Sequence, residues 1–296
     1  MEVELFDKTR AYLEQIGLPR GDLYHLPTSD GVFPDGGHFR IEVPTINTLA
    51  AARELLDQAQ RQGIVINRIT ETYGLFRHTR SQIQQYVELA NEHQVQLVMS
   101  IGPRAGYDTS ASAKSAMGKS ISYRLRGQEQ IVRSIEDVNR AFDLGVRNFV
   151  IYDEGLLWLL NEMRKYGHLD NTIRFKLSAH CGHGNPASLR LLQQIGADSI
   201  NPVRDLDLPM IAALRAAVDV PLDIHTDTPV ASGGFVRFYE APEIVRIAAP
   251  VYLKVGNSVL EQHGQLPTPQ DMHMMLNNIS IVLEMIARFC PEYKQS

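Results

Sequence analysis

The sequence has few cysteines, no long apolar run and no strong charge of either sign. Its 296 residues include two cysteines, Cys181 and Cys290, too few for a disulfide framework or a four-thiolate metal cluster. No stretch approaches the roughly 18 apolar residues of a membrane span, and the acidic start is unlike a secretory signal. With 29 Lys and Arg against 34 Asp and Glu, the net charge of −5 argues against nucleic acid as a partner. These absences predict a soluble, cytoplasmic protein that binds neither membranes nor nucleic acids.

Short runs with strand character alternate with segments of helical period from residue 39 onward. This alternation is typical of a parallel sheet covered by helices. Several helical segments end at a glycine that suits a C-terminal cap, among them Gly63 and Gly196. Eight such units in about 250 residues predict a single α/β domain, a (β/α)8 TIM barrel, with an open doubly wound sheet as the alternative. The predicted strands are 39–44, 66–72, 95–101, 147–153, 173–180, 197–202, 220–227 and 250–256.

The first 38 residues precede this pattern and differ from it in composition. They predict a helix at about residues 4–16 and a stretch rich in Gly, Pro and Asp that wraps one mouth of the barrel. No linker or repeat divides the remainder. We therefore expect an N-terminal helical extension over 1–38 and one barrel domain over 39–296. The last helical segment, 269–290, is apolar over much of its circumference, which suits packing on the barrel and also a homo-oligomer interface.

Polar residues recur on the strand faces that are expected to point into the barrel. Side chains two apart on a strand share a face, which groups Lys176 with His180 on the fifth strand and Asp223 with His225 on the seventh. Buried charge is costly unless it is paired or bound to a metal. The set therefore indicates an active site at the carboxyl ends of the strands, although single pairs such as Lys176 and Asp223 could be structural. The other interior candidates are Arg40, Glu42, Glu71, Ser100, Glu154, Asn201, Tyr252 and Lys254.

Imidazoles and carboxylates within this set suggest a metal site. His180, His225, Glu42 and Glu71 offer nitrogen and oxygen ligands that suit a divalent ion such as Zn, Mn or Fe(II). A bound ion would polarise a carbonyl or hydroxyl oxygen of the substrate. The sequence thus predicts a metal cofactor from ligands dispersed over four strands.

Three residues are candidates for the chemical step. Glu154 or Asp223 could move a proton, and Lys254 could supply a fixed positive charge to a substrate anion. The metal-free alternative is a Schiff base between a carbonyl substrate and Lys254 or Lys176, which requires that burial lower the pKa of the amine. Cys181 offers a thiol, but a small buried cysteine of the core is the more frequent outcome.

Glycine-rich turns follow the seventh and eighth strands, where many barrels hold phosphate. The connection 102–128 after the third strand is long and basic, which is typical of a lid over an anionic substrate. We therefore expect a small anionic, oxygen-rich substrate. The predicted substrate-binding residues are Arg104, Asn201, Ser232, Gly233, Gly234, Arg237 and Asn257.

The C-terminal third of the chain resembles a known group of barrel proteins. Residues 221–225, 233–235, 239–240, 243–245 and 252–254 are similar to segments of the U32 peptidase-like proteins. The resemblance implies a TIM barrel. Some members are called peptidases and others take part in hydroxylation with an iron–sulfur cluster held by four cysteines. Two cysteines do not supply that cluster, and the sequence shows neither a protease triad nor an HExxH motif.

Together these features predict a metal-assisted lyase, aldolase, isomerase or hydrolase that acts on a small anionic substrate at the carboxyl ends of the barrel strands. Two alternatives stay open. One is the metal-free Schiff-base enzyme. The other is a non-catalytic subunit of a U32-like complex that binds a small molecule for a partner protein and would be recognised by a ligand that co-purifies unchanged.

Overall fold

A closed barrel of eight parallel strands forms the centre of the computed structural model, which describes residues 5–107, 111–116 and 118–296. The strands follow one another around the barrel in chain order, and the last pairs with the first. The prediction of a (β/α)8 barrel is therefore confirmed. The strands are β1 Phe39–Pro44, β2 Arg68–Glu71, β3 Gln96–Ser100, β4 Asn148–Ile151, β5 Arg174–Leu177, β6 Ser199–Ile200, β7 Leu222–His225 and β8 Val251–Lys254.

A helix follows each strand and covers the outside of the barrel, and one helix precedes the first strand. Local sequence fixes the helix ends: the Thr48 hydroxyl accepts a hydrogen bond from the Ala51 N–H at 3.1 Å, and Gly63 ends the same helix at a φ of 68°. The helices are α1 Asp7–Gln15, α2 Leu49–Gln62, α3 Arg80–Glu92, α4 Gly127–Asp143, α5 Glu154–Lys165, α6 Pro186–Gln194, α7 Leu208–Ala217, α8 Ala241–Ala248 and α9 Pro269–Phe289.

The strands separate an apolar outer layer from a polar interior. On β1, Ile41 and Val43 pack into the apolar core between sheet and helices, whereas Glu42 between them faces the axis and is fully buried. On β5, Phe175 and Leu177 pack outward and Lys176 faces inward. The alternation therefore concentrates charge along the barrel axis.

The amino-terminal mouth of the barrel is closed by side chains. Phe33, from the segment predicted to wrap one mouth, packs its ring edge-on to Tyr252 with centroids 5.1 Å apart. Arg40 lies over the Phe33 ring at 4.1 Å, and the Arg68 guanidinium lies 3.3 Å from the centroid of the Tyr252 ring. This plug leaves the carboxyl ends of the strands as the open side of the barrel.

The predicted lid, 102–128, falls partly outside the described residues, which omit 108–110 and 117. Its described part contributes Tyr123, whose ring is partly buried at the mouth of the barrel. None of the helices in the described ranges is both long and apolar enough to cross a membrane.

Candidate active site

Glu42 is the centre of a buried ion network on the barrel axis. The strand register sets Glu42 level with Lys254 on one side and with Arg68 on the other. Its carboxylate contacts the Lys176 amine, and lies 3.3 Å from both Lys254 Nζ and Arg68 Nη1. Burial alone would raise the pKa of Glu42, but the charges of Lys176, Lys254 and Arg68 hold it well below its usual range. Glu42 is therefore ionised.

Asp223 is the second carboxylate of this network. It lies 3.0 Å from Arg68 Nη1 and 3.4 Å from Lys176 Nζ, and it accepts a hydrogen bond from the Ser199 hydroxyl at 3.0 Å. The network thus joins three basic side chains, Arg68, Lys176 and Lys254, to two carboxylates. One positive charge is in excess, and an uncompensated buried charge is relieved most readily by loss of a proton from a lysine, since arginine stays charged.

The contacts of the two lysines favour deprotonation of Lys254 over deprotonation of Lys176. Lys176 contacts both carboxylates, whereas Lys254 contacts Glu42 alone and donates its best hydrogen bond to the neutral amide oxygen of Asn201 at 2.9 Å. The pKa of Lys254 is lowered to about 7. Burial is the largest cause and the neighbouring Lys176 charge acts in the same direction, whereas Glu42 and Asp223 oppose the shift. At neutral pH a large fraction of Lys254 is a neutral amine.

Lys254 lines a small closed pocket above the network, which we call the inner pocket. Its free space of about 20 Å³ is enough for roughly one water molecule. Because His225 is in register with Lys254 on the adjacent strand, its imidazole shares this pocket. The principal polar residues of the inner pocket are Lys176, His180, Asn201, Arg204, His225, Lys254, Asn257 and His263.

An open cleft of about 720 Å³ lies beyond the inner pocket, and we call it the outer cleft. His180, Arg204 and His263 line both spaces, so they form the boundary between them. The Tyr123 ring stacks on His180 with centroids 4.0 Å apart, and its hydroxyl lies 2.8 Å from His263 Nδ1. A substrate that reaches Lys254 must therefore displace or pass this layer of rings.

The imidazoles around the inner pocket are neutral. Burial lowers the pKa of His180, His225 and His263 well below the usual value, and nearby cationic groups lower each of them further. His225 Nε2 is buried and has no hydrogen-bond partner in the described part of the chain, while its Nδ1 lies 3.3 Å from the carbonyl oxygen of Asp227. The pocket therefore contains an imidazole nitrogen available to a substrate.

The four residues predicted as metal ligands do not form a common ligand set. Glu42 is held by the ion network, and Glu71 projects to the other side of β2, where it accepts from the Gly74 N–H at 2.7 Å and lies 3.1 Å from His78 Nε2. His180 and His225 line the inner pocket without a free carboxylate beside them. Within the described ranges, no group of three or more His, Cys, Asp or Glu side chains is placed to hold a metal ion. This donor geometry does not fit a divalent ion.

Glu154 and Cys181 lie outside the inner pocket. The Glu154 carboxylate contacts Arg124 and His183 at the start of α5, and its side chain is partly exposed. Burial raises the pKa of the Cys181 thiol to about 12, so it stays protonated at neutral pH. The position of Cys181 fits the core role that a small buried cysteine usually has.

The backbone N–H groups of the two glycine-rich turns already donate to acceptors within the protein. Those of Ser232, Gly233 and Gly234 donate to carbonyls of residues 229 and 230 at 2.8 to 3.2 Å. In the turn after β8, the N–H groups of residues 256–258 and the Ser258 hydroxyl all donate to the carboxylate of Asp227. Gly256 makes this possible with a φ of 105°, and a Cβ there would lie 2.9 Å from Met275. The protein thus places its own carboxylate where many barrels bind phosphate.

The remaining predicted substrate-binding residues divide between pocket and scaffold. Asn201 and Asn257 line the inner pocket, and Asn201 also donates to the Asp223 carbonyl at 2.7 Å. Arg104 donates to Ser100 Oγ at 2.8 Å beneath the Tyr152 ring. Arg237 donates to the carbonyls of His225 and Leu206, and so ties together the loops that follow β6 and β7.

Several site residues were missed by sequence reasoning. Arg68 begins β2 and carries an interior side chain, so the period of two could have found it. Tyr123, Arg204 and His263 lie in loops, which lack periodicity, and nothing in their spacing points to the pocket.

Comparisons with known proteins bear on the architecture. No protein-family model and no curated protein sequence matches the chain. Its structure is similar to that of the YdjI aldolase from Escherichia coli K12, with a TM-score of 0.50 and 13% identity over 86% of this chain and 91% of that chain. The native KDPGal structure has a TM-score of 0.50 and 10% identity over 89% and 99%. The chain is a TIM barrel. At these identities the likeness shows the fold alone.

A U32 peptidase structure is also among the similar ones, with a TM-score of 0.42 and 16% identity over 66% of this chain and 72% of that chain. This match is too distant to bear on activity. The TIM-barrel fold that the resemblance implied is confirmed by the closed eight-stranded barrel itself, and membership of the U32 peptidase-like group stays a prediction.

Proposed function

We propose that this protein is a lyase of the aldolase type whose Lys254 forms a Schiff base with a carbonyl substrate. The observation that carries the proposal is the unequal charge of the axial network, three basic side chains against two carboxylates, with Lys254 the member that lacks a second carboxylate. A neutral amine is the nucleophile that Schiff-base formation requires. The metal-assisted mechanism predicted from the sequence stays a prediction, and the donor geometry favours the amine.

In the first step, the lone pair of Lys254 Nζ attacks the carbonyl carbon of the substrate. The carbonyl oxygen takes one proton from the amine nitrogen and one from solvent, and leaves as water. The product is an iminium ion with one N–H left on Nζ. That N–H can donate to Asn201 Oδ1, which lies 2.9 Å from Nζ. Glu42, which lies 3.3 Å from Nζ, stabilises the positive charge that the iminium carries.

The iminium then accepts the electron pair of a bond at the neighbouring carbon. Cleavage of a carbon–carbon bond or loss of a proton at that carbon each gives an enamine, which is the step common to lyases of this kind. His225 is placed to move the proton. His225 Nδ1 lies 3.3 Å from the Asp227 carbonyl oxygen and 3.4 Å from Asn257 Nδ2. In the tautomer that donates Nδ1–H to that carbonyl, Nε2, which has no partner among the described residues, is the base in the inner pocket.

Reductive trapping tests the proposal. Wild-type protein is incubated with small aldehydes and ketones in the presence of a metal chelator, reduced with sodium borohydride, and mapped by peptide mass spectrometry. We expect a stable secondary amine at Lys254 that is lost in Lys254→Arg. Exposed Lys165 is the internal control for unspecific modification.

Three results would contradict this assignment. They are absence of any adduct, modification of Lys176 in place of Lys254, and equal modification of Lys254 and Lys165. Circular dichroism of Lys254→Arg establishes that the loss of adduct does not come from unfolding.

A further inference from the structure

Arg204 is a partly buried arginine that pairs with no carboxylate of the described residues. Its Nη2 lies 3.2 Å from His180 Nε2, and its buried Nε–H donates to no partner among the described residues. No carboxylate of the described residues lies within 4.0 Å of its guanidinium nitrogens. A buried charge without a counter-ion is costly, so such a group is retained where a ligand supplies the opposite charge.

Arg204 is placed so that an anion bound to it would share a pocket with Lys254. Arg204 lines the inner pocket together with Lys254 and also lines the outer cleft. Its charge is close enough to act on Lys254, since it contributes to the lowered pKa of that amine. Because Arg204 and Lys254 line the same small pocket, one small substrate that carries both an anionic group and a carbonyl can meet both residues.

The hydrogen-bond donors around Arg204 favour a carboxylate over a phosphate as the bound anion. A phosphate dianion is usually held by several backbone N–H groups in the turns after β7 and β8. In this protein the N–H groups of Ser232, Gly233 and Gly234 are used within their own turn, and those after β8 are used by Asp227. Among the described residues that line the inner pocket and the outer cleft, Arg204 is the arginine, and its guanidinium offers a planar pair of N–H donors that matches a carboxylate.

We infer that the substrate is a 2-oxo acid whose carboxylate pairs with Arg204 and whose ketone reacts with Lys254. This inference rests on the proposed Schiff-base function and names its substrate class. The rest of the substrate extends past His180 into the outer cleft. Arg204 binds the substrate directly and sets specificity for it.

Trapping with three probes tests the inference. Pyruvate carries the carboxylate, hydroxyacetone is a neutral ketone, and dihydroxyacetone phosphate carries a phosphate. The rate of borohydride-trapped adduct at Lys254 is divided by the rate of each probe on a lysine peptide. We expect pyruvate to exceed the other two by about 10-fold or more, the size of one charge-assisted contact. Arg204→Met should remove that advantage, measured as the ratio of the pyruvate rate to the hydroxyacetone rate in the same variant, and Arg204→Lys should restore part of it.

The inference is overturned if hydroxyacetone or dihydroxyacetone phosphate reacts as fast as pyruvate, or if Arg204→Met slows all three probes equally. A binding measurement separates it from the Schiff-base proposal. In Lys254→Met, pyruvate binding measured by saturation-transfer NMR should persist, and it should vanish in Lys254→Met with Arg204→Met. If pyruvate binding depends on Arg204 in this way but wild type gives no trapped adduct, the Schiff-base proposal is contradicted and the role of Arg204 in binding the carboxylate is supported. Equal binding by both variants would refute the role of Arg204.

Discussion

Adduct formation at Lys254 should increase with pH through a midpoint near 7, about three pH units below that of an ordinary lysine. The physical reason is the excess positive charge of the axial network, which is relieved when Lys254 loses its proton. An ordinary lysine is neutral in fewer than roughly one molecule in 10³ at pH 7. The buried amine is therefore expected to react some 10² to 10³ times faster than an exposed one at that pH.

The measurement is the initial rate of adduct formation with pyruvate between pH 5.5 and 9.5, quenched with borohydride and quantified by mass spectrometry of the Lys254 peptide. The Lys165 peptide from the same samples supplies the rate of an exposed lysine. A rate at Lys254 that still rises steeply above pH 9, in parallel with Lys165, would show that Lys254 is an ordinary ammonium and that the charge argument fails.

Replacement of Glu42 by glutamine should lower the free energy of unfolding by about 3 to 5 kcal/mol at pH 7, the cost typical of removing one partner from a buried ion network. Glu42 contacts three basic side chains and has no exposed surface. Its loss leaves Asp223 as the single carboxylate beside Arg68 and Lys176. Urea unfolding of wild type and Glu42→Gln measures the difference.

The difference in unfolding free energy between wild type and Glu42→Gln should depend on pH in one direction. The folded protein holds the pKa of Glu42 well below its ordinary value of 4.5, so Glu42 stabilises the fold above that pH and loses its contribution as the pH falls below it. The gap between wild type and Glu42→Gln should therefore shrink in acid. Glu162→Gln is the matched control, because Glu162 pairs with exposed Lys165 at 2.9 Å and such pairs contribute less than about 1 kcal/mol. A Glu42 effect as small as the control would contradict the network.

The barrel could be predicted because its signals are local. Each strand has a short run of β-type residues, and each helix begins or ends at a residue with a specific capping role, as Thr48 and Gly63 do for α2. Side-chain alternation also placed Lys176 and Asp223 on the axis, where they lie 3.4 Å apart. For β2 the wrong face was taken as the interior: Arg68 and Thr70 face the axis, and the same alternation therefore places Glu71 on the other side.

The partners of these residues depend on tertiary structure and were not predictable. Nothing in the sequence says that the Asp227 carboxylate fills the turn after β8, since the contact joins residues about 30 apart through the packing of two strands. The same holds for Arg204 and His263, which come from different loops and meet at the boundary of the inner pocket. The preference for Lys254 over Lys176 as the neutral amine likewise follows from contacts alone.

The ionisation of Lys254 can be measured without any substrate. The chain has seven lysines, so NMR of protein labelled with ¹³C at lysine Cε gives few resonances to follow from pH 5 to 11. The resonance missing in Lys254→Arg identifies Lys254. We predict that it titrates with a pKa of about 7, well below the value of about 10.4 that is usual for lysine. Titration of Lys254 above pH 10 would contradict the proposal that this residue is the neutral amine of a Schiff-base enzyme.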